Sequence, residues 1–215
     1  DHILEIGCGW GGFMEYAIKH HNVKVTGLTI SKAQHDFTKK RLFEAGLSER
    51  AKVLLTDYRN QKGQFDGIAS IEMFEAVGEK YWPVYFNSLK NLMKNGAKST
   101  LQIITIADEI FPEYRKRVDF IQKYIFPGGM LPSKKALEKQ FLQVGLKSIN
   151  LKSFGSSYSK TLRLWHSSFN SVWDDIASVK FDDRFKRMWN FYLASCAAVF
   201  YSKTGDVIQV TLKKS

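Results

Sequence analysis

The sequence predicts a doubly wound α/β domain on a parallel sheet, and three observations predict it. Short apolar runs alternate with amphipathic segments along most of the chain. The first run, Ile3-Leu4-Glu5-Ile6, passes through Gly7, Gly9, Gly11 and Gly12 into a helical pattern, which reads as strand, tight turn and helix start. A later run, residues 99–106, is apolar almost throughout, as strands covered on both faces are.

Each element can be justified in order. Gly7 and Gly9 let the backbone take angles closed to other residues and let a ligand approach. The helix behind them offers unpaired N–H groups. Phe13, Met14, Ala17 and Ile18 form its apolar face, and His20 and His21 sit at its end, where positive charge is favourable. Residues 23–28 make a second strand. Ser31 is an N-cap for a helix running to about Ala45, with Gly46 as its stop. Residues 52–55 and 65–71 are the third and fourth strands, the latter followed by Glu72-Met73-Phe74-Glu75. Trp82, Tyr85, Phe86, Leu89 and Leu92 share a helix face that reads as core, and Asn95-Gly96 is its end.

After the fifth strand the alternation breaks, and about residues 112–132 form an insertion. Tyr114, Val118, Ile121 and Ile125 share a helical face, with Arg115, Lys116 and Lys123 off it, before the turn Pro127-Gly128-Gly129. This reads as a lid, a membrane-contacting edge, or an ordinary insertion packed on the core. Ser133 starts a further helix through Phe141, and residues 146–151 are a sixth strand. Leu162, Trp165, Phe169, Val172 and Ile176 mark one late helix; Phe185, Met188, Trp189, Tyr192, Cys196, Val199 and Phe200 mark another. Ile208, Val210 and Leu212 then alternate as in a last strand.

Composition sets the outer bounds. The chain has 215 residues, 44% of them apolar, enough for one large domain with a sizeable core. No apolar run is long enough to span a membrane, and no signal-peptide pattern appears. Cys8 and Cys196 lie far apart without metal-ligand neighbours, which reads as reduced thiols in a cytosolic protein with no metal site. The net charge of +11 attracts polyanions, either nucleic acid or an anionic membrane face, or simply solvates the surface. No base-reading motif or Asn-Pro-Pro-Tyr-like signature supports nucleic acid.

The glycine turn binds a nucleotide-like cofactor, and its neighbours discriminate between cofactors. A dinucleotide site wants an Asp or Glu about 20 residues beyond the glycines, for the ribose hydroxyls. Here the second strand ends Gly27-Leu28-Thr29-Ile30-Ser31, without an acid. An acid stands instead just before the glycines, at Glu5, which suits a cofactor carrying an ammonium group. S-adenosylmethionine, with its ammonium and sulfonium, is favoured over a nicotinamide.

Seven segments occur in a telling order. They are Glu5-Ile-Gly-Cys-Gly-Trp-Gly-Gly12, Gly27-Leu-Thr-Ile-Ser31, Asp57-Tyr-Arg59, Met73-Phe-Glu-Ala-Val-Gly78, Phe120-Ile-Gln-Lys-Tyr-Ile-Phe-Pro-Gly-Gly129, Tyr158-Ser-Lys-Thr-Leu162 and Arg184-Phe-Lys-Arg-Met-Trp189. Together they resemble the cyclopropane-fatty-acyl-phospholipid synthases and mycolic acid methyltransferases, across essentially the whole chain. The resemblance implies a single class I methyltransferase domain over 1–215. Its Rossmann-like sheet would have six parallel strands and an antiparallel seventh, with a helical insertion after the fifth. It implies methyl transfer from S-adenosylmethionine to a cis double bond in a phospholipid acyl chain, and ring closure by loss of a proton to bound bicarbonate. It places the enzyme in the cytoplasm, peripheral to an anionic inner membrane face, and leaves a homodimer open.

Residue by residue, the resemblance sets Glu5, Gly7 and Gly9 at the cofactor's amino-acid end, with Thr29 and Gln34 as further contacts. Asp57 and Tyr58 fall at the adenine and Ile71 is an apolar neighbour. Glu75 holds the bicarbonate and Tyr158 donates to it. Gln102 is the best match to the His that the family carries in the ion site, and Ala76 replaces the His of Phe-Glu-His-Val-Gly. The family's N-terminal cofactor-covering helices and Tyr-Ser-Cys element have no counterpart in this sequence. Competing readings are a methyl- or methylene-branching fatty acid methyltransferase, a small-molecule N-methyltransferase, and a catalytically silent lipid-binding module.

Overall fold

The computed structural model describes residues 1–177 and 181–214. The first half runs β1 (His2–Ile6), α1 (Gly12–His21), β2 (Lys24–Thr29), α2 (Lys32–Glu44), β3 (Ala51–Leu55), β4 (Phe65–Ile71) and α3 (Trp82–Leu92). Then come β5 (Met93–Ile106), α4 (Phe111–Tyr114), α5 (Phe120–Tyr124), α6 (Lys134–Val144) and β6 (Leu146–Ser153). The chain closes with α7 (Gly155–Ser171), α8 (Trp173–Ala177), α9 (Asp183–Tyr201) and β7 (Gly205–Lys214).

Among the described residues the strands form one seven-stranded sheet, ordered β3-β2-β1-β4-β5-β7-β6. The pairs among β1 to β5 are parallel, and β7 runs antiparallel to both β5 and β6. Six strands therefore share one direction and the seventh opposes them, as the resemblance implies. The chain moves outward from β1 to β3 and then returns to β4 beside β1. That reversal opens a crevice at the carboxyl ends of the strands, the usual ligand position in such sheets.

The main core lies between the sheet and α3. Tyr85, Phe86 and Leu89 are fully buried on α3 with Trp82, against Leu4, Ile6, Leu101 and Ile103. Each large side chain so buried contributes about 1.5–3 kcal/mol. Ser31 caps α2 by accepting from the Gln34 N–H at 3.3 Å, and Gly145 ends α6 in the left-handed conformation.

Three local expectations change. Asn95-Gly96 does not close α3 into a loop: the helix stops at Leu92, and Met93 already pairs with Phe65, so this dipeptide forms an irregularity inside a longer β5. The single helical face over Tyr114, Val118, Ile121 and Ile125 is broken. Asp119 forms a capping box with Gln122, which starts α5 afresh and leaves Val118 exposed. Finally, α7 ends at Ser171, so Val172 caps it and Trp165 faces solvent.

Candidate active site

The glycine turn lies at the carboxyl end of β1, between β2 and β4. Gly7, Gly9 and Gly11 all take positive φ, which an L side chain rarely adopts. The N–H groups of Gly7 and Cys8 both donate to the Leu28 carbonyl, at 3.0 and 2.8 Å. A Cβ on Gly7 would stand 2.7 Å from Met73 Cγ, and one on Gly11 2.6 Å from Thr38 Cγ2. At Gly9 nothing lies within 4 Å, so that position opens onto space. From the other side α2 clamps the turn: Thr38 donates to the Gly9 carbonyl at 3.0 Å and Arg41 to the Trp10 carbonyl at 3.1 Å.

Behind the turn, Glu5 is 3% exposed, and its Oε2 is buried without a hydrogen-bond partner. Burial pushes its carboxyl up from 4.5 to about 8. An unpartnered buried carboxylate is costly, and a ligand cation removes the cost. Burial likewise pushes the Cys8 thiol up to about 12, so this cysteine is packing and not a nucleophile.

The remaining expected cofactor residues stand along the same edge. Thr29 ends β2, buried, and donates to Gln34 Oε1 at 2.8 Å, which leaves the Gln34 amide nitrogen as the outward donor. Asp57 caps a short 3-10 turn, and Arg59 holds both its oxygens, at 2.9 and 2.7 Å. That ion pair keeps its carboxyl below the usual range. Tyr58 is half-buried, with its ring edge-on to Tyr85 at 5.3 Å. Ile71 is partly exposed at the end of β4.

A second group gathers beyond β4. Gln102 on β5 sits in register with Ile71 of β4 and Gln209 of β7. Gln209 donates to Gln102 Oε1 at 2.9 Å. Gln102 Nε2 donates to Glu72 Oε1 at 2.7 Å and to the Tyr158 hydroxyl at 2.8 Å. Tyr158, on α7, donates to that same Glu72 oxygen. Glu75 stands apart: its Oε1 accepts the Ile104 N–H at 2.5 Å, and its Oε2 is buried and unpartnered. Burial pushes Glu75 up to about 7, partly offset by the Ile104 N–H and reinforced by the neighbouring Glu72. Burial and the Glu72 carboxylate together raise the Tyr158 hydroxyl well above its ordinary value.

Tyr158 and Gln102 thus come together on Glu72, the acid at the end of the fourth strand, and not on Glu75. Sequence reasoning missed Thr38, Arg41 and Gln209. Gln34, Thr38 and Arg41 do carry a signal, since their spacing puts three polar groups on one helix face, facing the turn. Gln209 has none, because its role depends on β7 lying beside β5.

The description "Mycolic acid cyclopropane synthetase" belongs to the family whose pattern matches residues 1–210. The chain is 39% identical over 212 residues to the tuberculostearic acid methyltransferase UfaA1 of Mycobacterium tuberculosis, covering 98% of this chain and 49% of that protein. It is 36% identical over 214 residues to the cyclopropane-fatty-acyl-phospholipid synthase of Escherichia coli K12, covering 99% of this chain and 53% of that one. The chain therefore spans about half the length of these curated relatives. Among solved structures, the cyclopropane synthase MmaA2 from Mycobacterium tuberculosis superposes with a TM-score of 0.91 at 28% identity, covering 99% of this chain and 78% of that one. The mycolic acid cyclopropane synthase CmaA1, solved with SAH and CTAB, gives the same score, identity and coverage. With the glycine turn, the sheet order and a sequence match over nearly its full length in agreement, the chain belongs to the mycolic acid cyclopropane synthetase family.

Proposed function

We propose that this protein transfers the methyl group of S-adenosylmethionine to a cis double bond in a membrane phospholipid acyl chain, and that loss of a proton then closes a cyclopropane ring. The observation that carries the reading is the Glu5 carboxylate, buried with an orphan oxygen behind the open position at Gly9. Such an acid suits a ligand with an ammonium group, and the related CmaA1 was solved with SAH, the demethylated form of this donor. When bound, the donor supplies an electrophilic methyl on a positive sulfur. Glu5 would meet its ammonium, and Gly7 and Gly9 would let its amino-acid end approach the backbone. The Gln34 amide, oriented by Thr29, would donate to its hydroxyls, and Asp57, Tyr58 and Ile71 would frame its adenine.

The bicarbonate implied by the family resemblance does not fit these residues as they stand. The Tyr158 hydroxyl and the Gln102 amide already bond Glu72, and the Ile104 N–H already bonds Glu75. The donors that the resemblance assigns to that ion are thus already taken by carboxyl groups of this chain.

A second reading keeps the same double bond but ends in a methyl or methylene branch, favoured by the 39% identity to a tuberculostearic acid methyltransferase. The net charge of +11 supports peripheral binding to the anionic inner face of the membrane. Among the described residues no helix is long and apolar enough to cross it. The test is incubation with methyl-labelled S-adenosylmethionine and oleoyl phospholipid vesicles, followed by mass spectrometry of the acyl chains. Label in a ring-bearing chain supports the first reading and label in a branched chain the second. Label confined to amines would refute both.

A further inference from the structure

The groups expected to hold an external ion already hold a carboxylate of this chain. The single Tyr158 hydroxyl hydrogen goes to Glu72. Both amide hydrogens of Gln102 are engaged, one on Glu72 Oε1 at 2.7 Å and one on the Tyr158 oxygen at 2.8 Å. Gln209, donating to Gln102 Oε1 at 2.9 Å, fixes which end of that amide points at Glu72.

Glu72 is delivered there by an unusual backbone. Its φ is +50°, in the left-handed region that non-glycine residues rarely adopt. Its N–H is tied to the Gln102 carbonyl at 2.9 Å, so the residue is pinned at both ends. Glu72 side-chain Oε2 accepts no hydrogen bond from the described residues, and the residue is exposed at the carboxyl edge of β4, beside the cofactor turn. Glu75 stands apart from these two donors: one of its oxygens is engaged by the Ile104 N–H and the other is buried without a partner.

We propose that the Glu72 carboxylate, held by Tyr158 and Gln102, accepts the proton lost from the methylated acyl chain, in place of an external bicarbonate. This rests on the reaction read above. A C–H bond of the added methyl breaks, and its electron pair forms the second bond from that carbon to the acyl chain, closing the ring. In the branching outcome the same pair forms a methylene double bond. Either way the proton goes to a Glu72 oxygen and from there to solvent. Tyr158 and Gln102 are then positioning residues.

The experiment is the labelled-lipid assay in carbon-dioxide-free buffer, with and without added sodium bicarbonate. The wild-type rate should change by less than about twofold between the two. Glu72→Gln keeps an oxygen for both hydrogen bonds but cannot take a proton. It should lose about 10²–10³-fold in kcat, with the Kd for S-adenosylmethionine and the melting temperature unchanged. Glu72→Ala frees the two donors, so added bicarbonate or acetate should restore part of its rate. Wild-type activity that appears only with bicarbonate overturns the proposal while leaving the reaction intact, as does a Glu72→Gln enzyme at full rate. Wild-type protein that labels no acyl chain in either buffer removes the reaction reading and the proposal together.

Discussion

Burial pushes the carboxyls of Glu5 and Glu75 up to about 8 and about 7, against an ordinary 4.5, the latter in spite of the Ile104 N–H. The folded protein therefore holds their protons more tightly than the unfolded chain does. The stability linked to these protons is complete below about pH 4.5 and is lost as pH rises through those folded values. The ligand-free protein should melt at progressively lower temperature from about pH 5 to pH 8, and Glu5→Gln should flatten the upper part of that slope. Parallel melting profiles for the two proteins would contradict the role given to burial. A bound cation reverses the sign at Glu5 by favouring its charged form. Binding of S-adenosylmethionine at pH 7 should thus release a proton, seen by calorimetry in buffers of different ionisation heat. In Glu5→Gln the release should vanish and affinity should fall about 10- to 100-fold, the scale of a lost charge-assisted contact.

At the scale of the element, the glycine turn separates folding from binding within three residues. Gly7 and Gly9 both take positive φ, but a side chain at Gly7 meets Met73 whereas one at Gly9 meets open space. Gly7→Ala should cost the left-handed penalty of about 1–2 kcal/mol plus a comparable packing strain, read as a lower denaturant midpoint. Gly9→Leu should cost about the backbone penalty alone, yet abolish cofactor binding by filling the cradle. Equal loss of stability in the two variants would show that Gly9 is also a packing glycine. In α3, Phe86→Ala should lose about 3–5 kcal/mol in urea unfolding. That ring is fully buried against Phe74, Tyr85 and Phe141.

For the whole molecule, the relevant quantities are charge and the order of strands. With 32 basic and 21 acidic residues, the surface should bind phosphatidylglycerol vesicles in preference to phosphatidylcholine ones. Binding measured by co-sedimentation should weaken as salt shortens the screening length from about 10 Å at 0.1 M to about 3 Å at 1 M. Salt-independent binding would point to apolar insertion instead. The last strand made, β7, pairs with both β5 and β6, so the sheet is complete only when the C-terminal residues are in place. The same placement brings Gln209 to Gln102 and sets the network around Glu72.

What the sequence determined by itself was local. The glycine turn, the alternation of strands and helices, the apolar face of α3 and the acid before the turn all arise from near neighbours. Backbone freedom and side-chain period are written at those distances. The tertiary structure decided what depends on residues far apart in the chain. It broke the face through Val118 with a cap at Asp119, and drew Asn95-Gly96 into β5 through the pairing of Met93 with Phe65. It also set Tyr158 on Glu72 while Glu75 turned to the Ile104 N–H. Hydrogen bonds across a sheet leave no periodic trace in a linear sequence, so which of two nearby carboxylates meets the tyrosine is settled only when β4, β5, β7 and α7 pack together.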